Sequence, residues 1–330
     1  MAGKRRMCTS GIGGQAVLEG VMMKNKDLYA VAVRKPDGEI ELEQQEYHSI
    51  AHGVKFCKLP FIRGIFNFID SMILGMRCLD YSAGFYEEED TSKESRVEKE
   101  INEKREKVFS AITVAISFII AIALFMVLPY FLSTLLEKYV RNASVLGIFE
   151  GIIRLAIFLI YTVAITTMKD IKRLYQYHGA EHKCINCIEH GMELNVHNVK
   201  RSSRFHRRCG TSFLLFVMVV SILVFMCIQV DNRALRVLLR ILLIPVIAGI
   251  SYELIRLAGR SDNILVRIIS MPGMALQKLT TKEPDDDMIE VAIKSVEAVF
   301  DWRSFLDENF NRDTEDKPVA KAPAEVEILS

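Results

Sequence analysis

The sequence lacks an excess of charge of either sign: 42 Lys and Arg stand against 41 Asp and Glu, a formal net charge of +1 over 330 residues. No domain-wide basic surface follows, so composition gives no reason to expect nucleic acid as a partner. A paired cysteine framework is also missing. The seven cysteines are odd in number, Cys227 sits inside an apolar run, and Cys8, Cys57 and Cys78 are scattered upstream. That pattern argues against a disulfide-stapled secreted domain. No internal repeat is visible. The opening MAGKRRMCTSGIGG has no sustained apolar core and no cleavage pattern, so a cleaved signal peptide is not expected.

What is present in excess is apolar sequence, 50% of the chain with a mean hydropathy of +0.20, and it is concentrated in blocks. Between Lys107 and Glu137 lie 29 residues without a charge, beginning VFSAITVAISFIIAIALF. About 20 apolar residues suffice to cross the hydrocarbon core, so residues 108–136 read as a first span. Residues 209–230, CGTSFLLFVMVVSILVFMCIQV, are likewise uncharged. Segments 144–166 and 237–257 are less pure, carrying Glu150 and Arg154 in one and Arg240, Glu253 and Arg256 in the other. Most of these charges lie toward segment ends, where long side chains reach the headgroups. Glu150 and Arg154 are also spaced i, i+4 and able to pair on one helical face. The expected fold is an α-helical polytopic membrane protein with four transmembrane helices and a small amino-terminal β-hairpin or sheet on the cytoplasmic side.

Loop charge sets the expected orientation. Residues 169–208 hold nine Lys and Arg and residues 93–107 hold six, whereas the links 137–143 and 229–236 hold two each. The bias of basic loops toward the cytoplasm then places both termini and the central loop inside, in a multi-pass protein of the cytoplasmic (inner) membrane.

Outside the spans the chain divides further. Residues 1–58 read as a β-rich region. LYAVAVRKPDGEIELEQQEY forms two alternating runs around Pro36-Asp37-Gly38, predicting a hairpin over 28–47. GIGGQAVLEGVMMK adds a glycine run and a short apolar strand, so a sheet of three or more strands is expected. Residues 59–85 are apolar but interrupted by Arg63 and Asp70, which suits a helix lying in the membrane interface or packed on the bundle. Residues 86–107 form a charged linker or exposed helix, residues 258–312 a carboxy-terminal cytoplasmic region, and residues 313–330 a disordered tail.

The chemistry-bearing residues cluster. Five of seven histidines (178, 182, 190, 197 and 206) and three of seven cysteines (184, 187 and 209) fall within or beside residues 169–208. His178-Gly179-Ala180-Glu181-His182 has the H-x-x-E-H order of one class of zinc hydrolases. Two imidazoles four residues apart share a helical face and can grip one Zn²⁺ or another divalent metal. Glu181 beside them is placed to act as a general base. A third ligand must come from elsewhere, with His206 or Cys209 the first candidates and Glu189 or Glu193 the second.

A second arrangement uses the same loop: Cys184-x2-Cys187 and His206-x2-Cys209, 18 residues apart, resemble the pairs of a structural zinc ribbon, which would staple the loop without catalysis. A thiol redox pair at Cys184 and Cys187 ranks lower, because no thioredoxin-like βαβ pattern surrounds it. The histidines also admit a bland role as helix caps and carbonyl partners. Arg201, Arg204, Arg207 and Arg208 fit the ordinary basic bias of an inner loop as well as they fit lipid headgroups. His48 and His52 have no third ligand nearby. Glu19 is either a carboxylate turned to the loop site or an exposed edge residue.

Four motifs in order, GGQAVLEGVMM, YHGAEHK, NCIEHG and RFHRRCGTSFLL, resemble the YqhQ family of bacterial membrane proteins over residues 10 to 310. That family is a domain of unknown function described as predicted metal-dependent enzymes. Its matched positions are Gly14, Gln15, Glu19 and Gly20; His178, Glu181 and His182; Cys187, Glu189 and His190; and His206, Cys209 and Gly210. Relatives usually carry threonine where this chain has Cys184, so the resemblance weakens the ribbon and favours a metal site of His178, His182, His206 and Cys209. The expected function is a metal-dependent, zinc-type hydrolase at the cytoplasmic membrane face with Glu181 as its base. The alternative is a non-catalytic scaffold or membrane-protein biogenesis factor with an ordered or zinc-stapled loop. The expected partners are the lipid bilayer and a second membrane protein, and a transporter ranks third.

Overall fold

A computed structural model describes residues 7–50, 53–86, 96–140, 142–228, 230, 232–260 and 264–310. The chain is mostly helical, with one small sheet near its amino terminus. The expected tail at 313–330 lies outside the described residues, as does residue 52 and much of the charged linker.

Strands β1 (Gly13–Val17), β2 (Gly20–Asn25), β3 (Leu28–Arg34) and β4 (Ile40–Glu46) form an antiparallel meander in the order β1-β2-β3-β4. The hairpin around Pro36-Asp37-Gly38 pairs Leu28 with Glu46 and Arg34 with Ile40. Gly38 adopts φ 90°, a conformation that glycine enters without a Cβ clash. The GGQAVLEGVMM motif is itself a hairpin, reversing through Leu18-Glu19 with Glu19 at φ 48°. Gly20 is required by the close approach of β3, since a Cβ there would stand 2.3 Å from the Ala32 carbonyl oxygen.

Side chains alternate across the pleat, so β1, β2 and β3 each contribute to two cores. Val21, Met23, Ala30 and Ala32 pack with Ile185 and Ile188 of α5 (Lys169–Glu189) and with Ile289 and Val296 of α11 (Asp286–Val299). Val17, Met22, Val31 and Val33 face the other way, onto Leu74 and Cys78 of α1 (Ile62–Ala83). The sheet is therefore filling between α1 and the α5–α11 layer, and this fixes β1 against α5. The amphipathic helix α11, within the carboxy-terminal region, covers the sheet face that residues 1–58 cannot cover alone.

Helix α2 (Arg96–Ile122) runs through a π-helical turn, Ala123–Val127, into α3 (Leu128–Thr134), and α4 (Ala143–Ile165) follows. Within them, Ile112–Thr134 and Val145–Ile165 are long and apolar enough to span a membrane. Helices α8 (Arg233–Leu242) and α9 (Ile244–Arg260) qualify together, bent by 41° between Leu242 and Ile244. The segment expected as a span at 209–230 forms α7 (Gly210–Met226), 17 apolar residues. At 1.5 Å per residue that is about 25 Å, short of the roughly 30 Å hydrocarbon core. Among the described residues two helices, or three counting the bent pair, thus have the length and composition of spans.

Inside this bundle one buried carboxylate is paired with two guanidiniums. Glu150 on α4 accepts from Arg154 at 2.6 Å and from both terminal nitrogens of Arg240 at 2.7 Å, and Arg154 also donates to Ser221 Oγ at 2.7 Å. The two guanidiniums flank the Phe225 ring. Helix α1 is held to α9 by a bidentate pair between Arg63 and Glu253 and by the Phe61 N–H on the same carboxylate. Helix α10 (Ile264–Thr280) packs on α7 and leads back to α5.

Candidate metal centre

The expected loop 169–208 is dominated by helix α5, which starts after Met168 and carries the H-x-x-E-H residues in its interior. Gly179, the weak point of that helix by propensity, has a reason to be there: a Cβ would stand 2.0 Å from the Lys282 carbonyl oxygen. Glycine lets the segment just after α10 lie against α5, and the last residue of α10, Thr280, supplies the carbonyl that orients His178.

His178 donates from Nδ1 to the Thr280 carbonyl at 2.9 Å, and His182 donates from Nδ1 to the Arg204 carbonyl at 2.6 Å. A carbonyl only accepts, so each Nδ1 carries a proton, and in the neutral ring Nε2 is then the atom that offers a lone pair. This is how ring-orienting partners prepare histidines as metal ligands. The rings stand 4.4 Å apart, centroid to centroid. Cys209, the N-cap of α7, brings Sγ to 3.2 Å from His178 Nε2 and accepts from the Thr211 N–H at 3.4 Å.

The three donor atoms of His178, His182 and Cys209 all lie within 4.8 Å of one another. A tetrahedral zinc site separates nitrogen and sulfur donors by about 3.3–3.6 Å. Small side-chain adjustments therefore convert the present arrangement into a site, and the two-nitrogen, one-sulfur set suits zinc among the divalent metals. The donor chemistry fits the group.

Glu181 Oε2 lies 3.8 Å from His178 Nε2 and 3.9 Å from His182 Nε2. Burial pushes this carboxyl up to about 7, against the opposing pull of His178 and a hydrogen bond from the Gly14 N–H. No Lys or Arg ion pair reaches Glu181 among the described residues. Gly14 is a close neighbour on β1; a Cβ there would meet Met23 Sδ at 2.6 Å and Glu181 Cγ at 2.9 Å. The first motif thus meets the second through backbone.

Of the other sequence candidates, His206 comes near, with its ring 5.7 Å from that of His182, but it turns Nε2 to Glu189 Oε2 at 3.4 Å. Glu189 also receives Arg208 and both the N–H and the hydroxyl of Ser10, at 2.8 Å each. Burial alone would raise this carboxyl, yet the His206 hydrogen bond and the Arg208 charge outweigh it and hold it down at about 2. Glu189 is thus a tie between the amino terminus and the turn before α7. Cys184 and Cys187 are fully buried on the core side of α5, and burial pushes the Cys184 thiol well up. Cys187 donates to the Glu193 carbonyl at 3.3 Å. Glu19 is engaged by a bidentate pair with Arg173 and by the Tyr177 hydroxyl at 3.2 Å, away from the histidines. His190 is bonded back to the Asn186 carbonyl at 2.7 Å, and His197 lies 3.5 Å from Arg201.

The donors open onto a cavity of about 640 Å³ enclosed by β1, α1, α5, α7 and α9. Ile12, Ile185, Phe213 and Ile255 form apolar wall, while Glu181, Arg208 and the three donors gather at the polar end. The sequence did not reveal this wall, because it is assembled from five segments of the chain.

Comparison with known proteins agrees with these motifs. The model of a protein family of unknown function, DUF1385, matches residues 59–302. The chain is 35% identical over 303 residues to the uncharacterized protein YqhQ of Bacillus subtilis (strain 168), covering 90% of this chain and 94% of that protein. No solved structure matches. Matched across its helices from α1 to α11 and along nearly the full length of YqhQ, the chain belongs to the DUF1385 family.

Proposed function

We propose that this protein is a metal-dependent hydrolase embedded in the cytoplasmic membrane, with its site at the cytoplasmic face. The observation that carries the reading is the convergence of His178, His182 and Cys209, whose donor atoms lie within 4.8 Å of one another in the lining of one cavity, with both Nδ1 atoms turned to backbone carbonyls. Three protein ligands beside an open cavity are the arrangement of catalytic zinc sites, whereas structural sites close with four. A zinc-type ion held there supplies Lewis acidity toward a substrate carbonyl or phosphoryl oxygen. Glu181 stands beside the open side with a carboxyl poised near neutrality, suited to take a proton from the attacking water and return it to the leaving group. The apolar wall limits competing water, and Arg208 is available to orient an anionic portion of the substrate.

Metal analysis of the purified protein is the first test. About one equivalent of zinc is expected in the wild type and less than a tenth of that in His178→Ala and Cys209→Ser. Wild-type protein free of transition metal after purification without chelators sinks the reading. Glu181→Gln then separates the roles: retained metal with failure to complement a deletion strain fits a proton carrier, lost metal makes Glu181 a ligand, and full complementation removes it from the chemistry. That last outcome would favour the second reading, a scaffold or biogenesis factor whose metal ties α5 to α7, since the ligands come from those two helices alone.

The proposed topology has four spans and both termini in the cytoplasm, with α7 and the bent α8–α9 pair crossing in addition to the two long helices. The basic segments 93–107 and 169–208 support it. Cys227, exposed at the far end of α7, is the discriminating residue. A membrane-impermeant thiol reagent applied to intact cells is expected to modify Cys227 and to spare Cys8; the reverse labelling inverts the topology.

A further inference from the structure

The walls of the cavity carry information about what enters it. Its volume, about 640 Å³, falls within the usual range for small-molecule sites, roughly 300–1,000 Å³. A helical protein segment about 10 Å across fills roughly 420 Å³ per turn, so a spanning helix would place little more than one turn inside. One apolar chain with a headgroup suits the space better.

The lining combines apolar and polar groups. Phe68 on α1 and Leu214 on α7 border the cavity and are also exposed on the outer surface, at 37% and 46%. Other wall residues are buried and apolar, including Ile185 and Phe213. The same cavity is lined by Glu181, the three metal donors and Arg208, a cation that also reaches Glu189 and His206.

Exposed apolar surface continues away from the mouth on both sides. Leu214 lies in the first turns of α7, whose outward residues Val219 and Leu223 are also exposed and apolar. Phe68 continues along α1 as Ile69, Ile73 and Met76, an exposed apolar stripe beside the same mouth. Faces of this kind on a chain with spanning helices are turned to lipid.

We infer that the cavity admits a bilayer amphiphile sideways between Phe68 and Leu214, a lipid with an anionic headgroup that presents that headgroup to Arg208 and the metal donors. The apolar chain occupies the wall formed by Ile185, Phe213 and Ile255. This identification of the substrate class rests on the hydrolase reading for its chemistry, but the binding it describes does not depend on the metal.

The test uses the full-length protein in vesicles of phosphatidylethanolamine and phosphatidylglycerol, with a trace of phosphatidylglycerol bearing a diazirine in one acyl chain. After irradiation and digestion, adducts are mapped by mass spectrometry. Adducts are expected on buried Ile185 and Phe213 in both the wild type and His178→Ala. They are expected to fall at least tenfold in Ile255→Trp, which narrows the wall. They are expected to fall similarly in Gly210→Phe, where an added Cβ meets no neighbour within 4 Å.

Adducts confined to outward residues such as Ile119 and Leu223, or undiminished in both blocked variants, overturn the inference. So does displacement of the inner adducts by an equimolar apolar peptide, which would assign the cavity to a protein segment. Loss of metal with inner adducts retained defeats only the metal reading, and loss of inner adducts with metal retained defeats only the lipid.

Discussion

Two glutamates are buried to the same 4% exposure, and their surroundings differ in every other respect. Glu150, in the apolar helix α4, is enclosed by two guanidiniums that satisfy both its oxygens. Glu181, in α5, has a backbone N–H from Gly14 and two imidazoles at nearly 4 Å, and its unsatisfied side looks into a cavity. Burying a carboxylate is unfavourable unless it is paired. In the first case neighbours resolve that penalty and the group becomes structure. In the second the penalty remains as a raised affinity for protons, which is the condition for proton transfer near neutral pH.

The contrast is broken most severely at Glu150. Glu150→Ala leaves Arg154 and Arg240 buried without a counter-charge, a loss of about 3–5 kcal/mol by analogy with other severed buried pairs. The expected outcome is a sharp fall in folded yield in detergent and a lowered Tm by tryptophan fluorescence of Trp302. Converting Glu150, Arg154 and Arg240 together to Met is expected to recover much of that stability, since apolar replacement of a whole buried ionic cluster is often neutral or stabilising. A triple variant as unstable as Glu150→Ala would show that the cluster has a role beyond mutual neutralisation.

Glu181 is expected to respond with the opposite sign. Its folded carboxyl titrates at about 7, above the ordinary 4.5, so its contribution to stability is fully present below 4.5 and is lost as pH rises through 7. A difference of about 2.5 pH units corresponds to roughly 3 kcal/mol. Metal-stripped wild type is therefore expected to lose stability in chemical denaturation between pH 5 and 8, and Glu181→Gln to flatten that slope. Equal slopes in the two proteins would mean that the carboxyl is solvated and the contrast with Glu150 is false.

How much of this difference the sequence displays depends on whether the determinant is local. His178, Glu181 and His182 are readable because four-residue spacing alone puts two imidazoles on one helical face. Cys209 is readable as a donor type near a span. The orientation of His206 toward Glu189 is not, because it depends on Ser10, 179 residues away from that glutamate in the chain. The Leu18-Glu19 reversal also escaped local reading. It carries no turn-favouring glycine or asparagine at its two central positions, and Gly20 is demanded by β3 and not by the turn itself. The break between α8 and α9, by contrast, has a local cause: Pro245, the second residue of α9, has no N–H to give to the preceding turn and clashes with it, so one straight helix cannot run through 242–245.

The smallest effect is expected at Cys184, where the sequence offered the strongest rival to the histidine site. Its thiol is buried in the core that α5 shares with the sheet, and burial keeps it protonated. A ligand to zinc is bound as thiolate, so Cys184 is in the wrong place and the wrong protonation state. Threonine is close in size, and in a helix its hydroxyl can bond back to the preceding turn. Cys184→Thr is therefore expected to cost about 1 kcal/mol or less and to leave the zinc content at the wild-type value. A loss of metal in this variant would bring the cysteine pair back as the ligand source. It would also turn α5 around, since Cys184 and His182 cannot face the same ion from a straight helix.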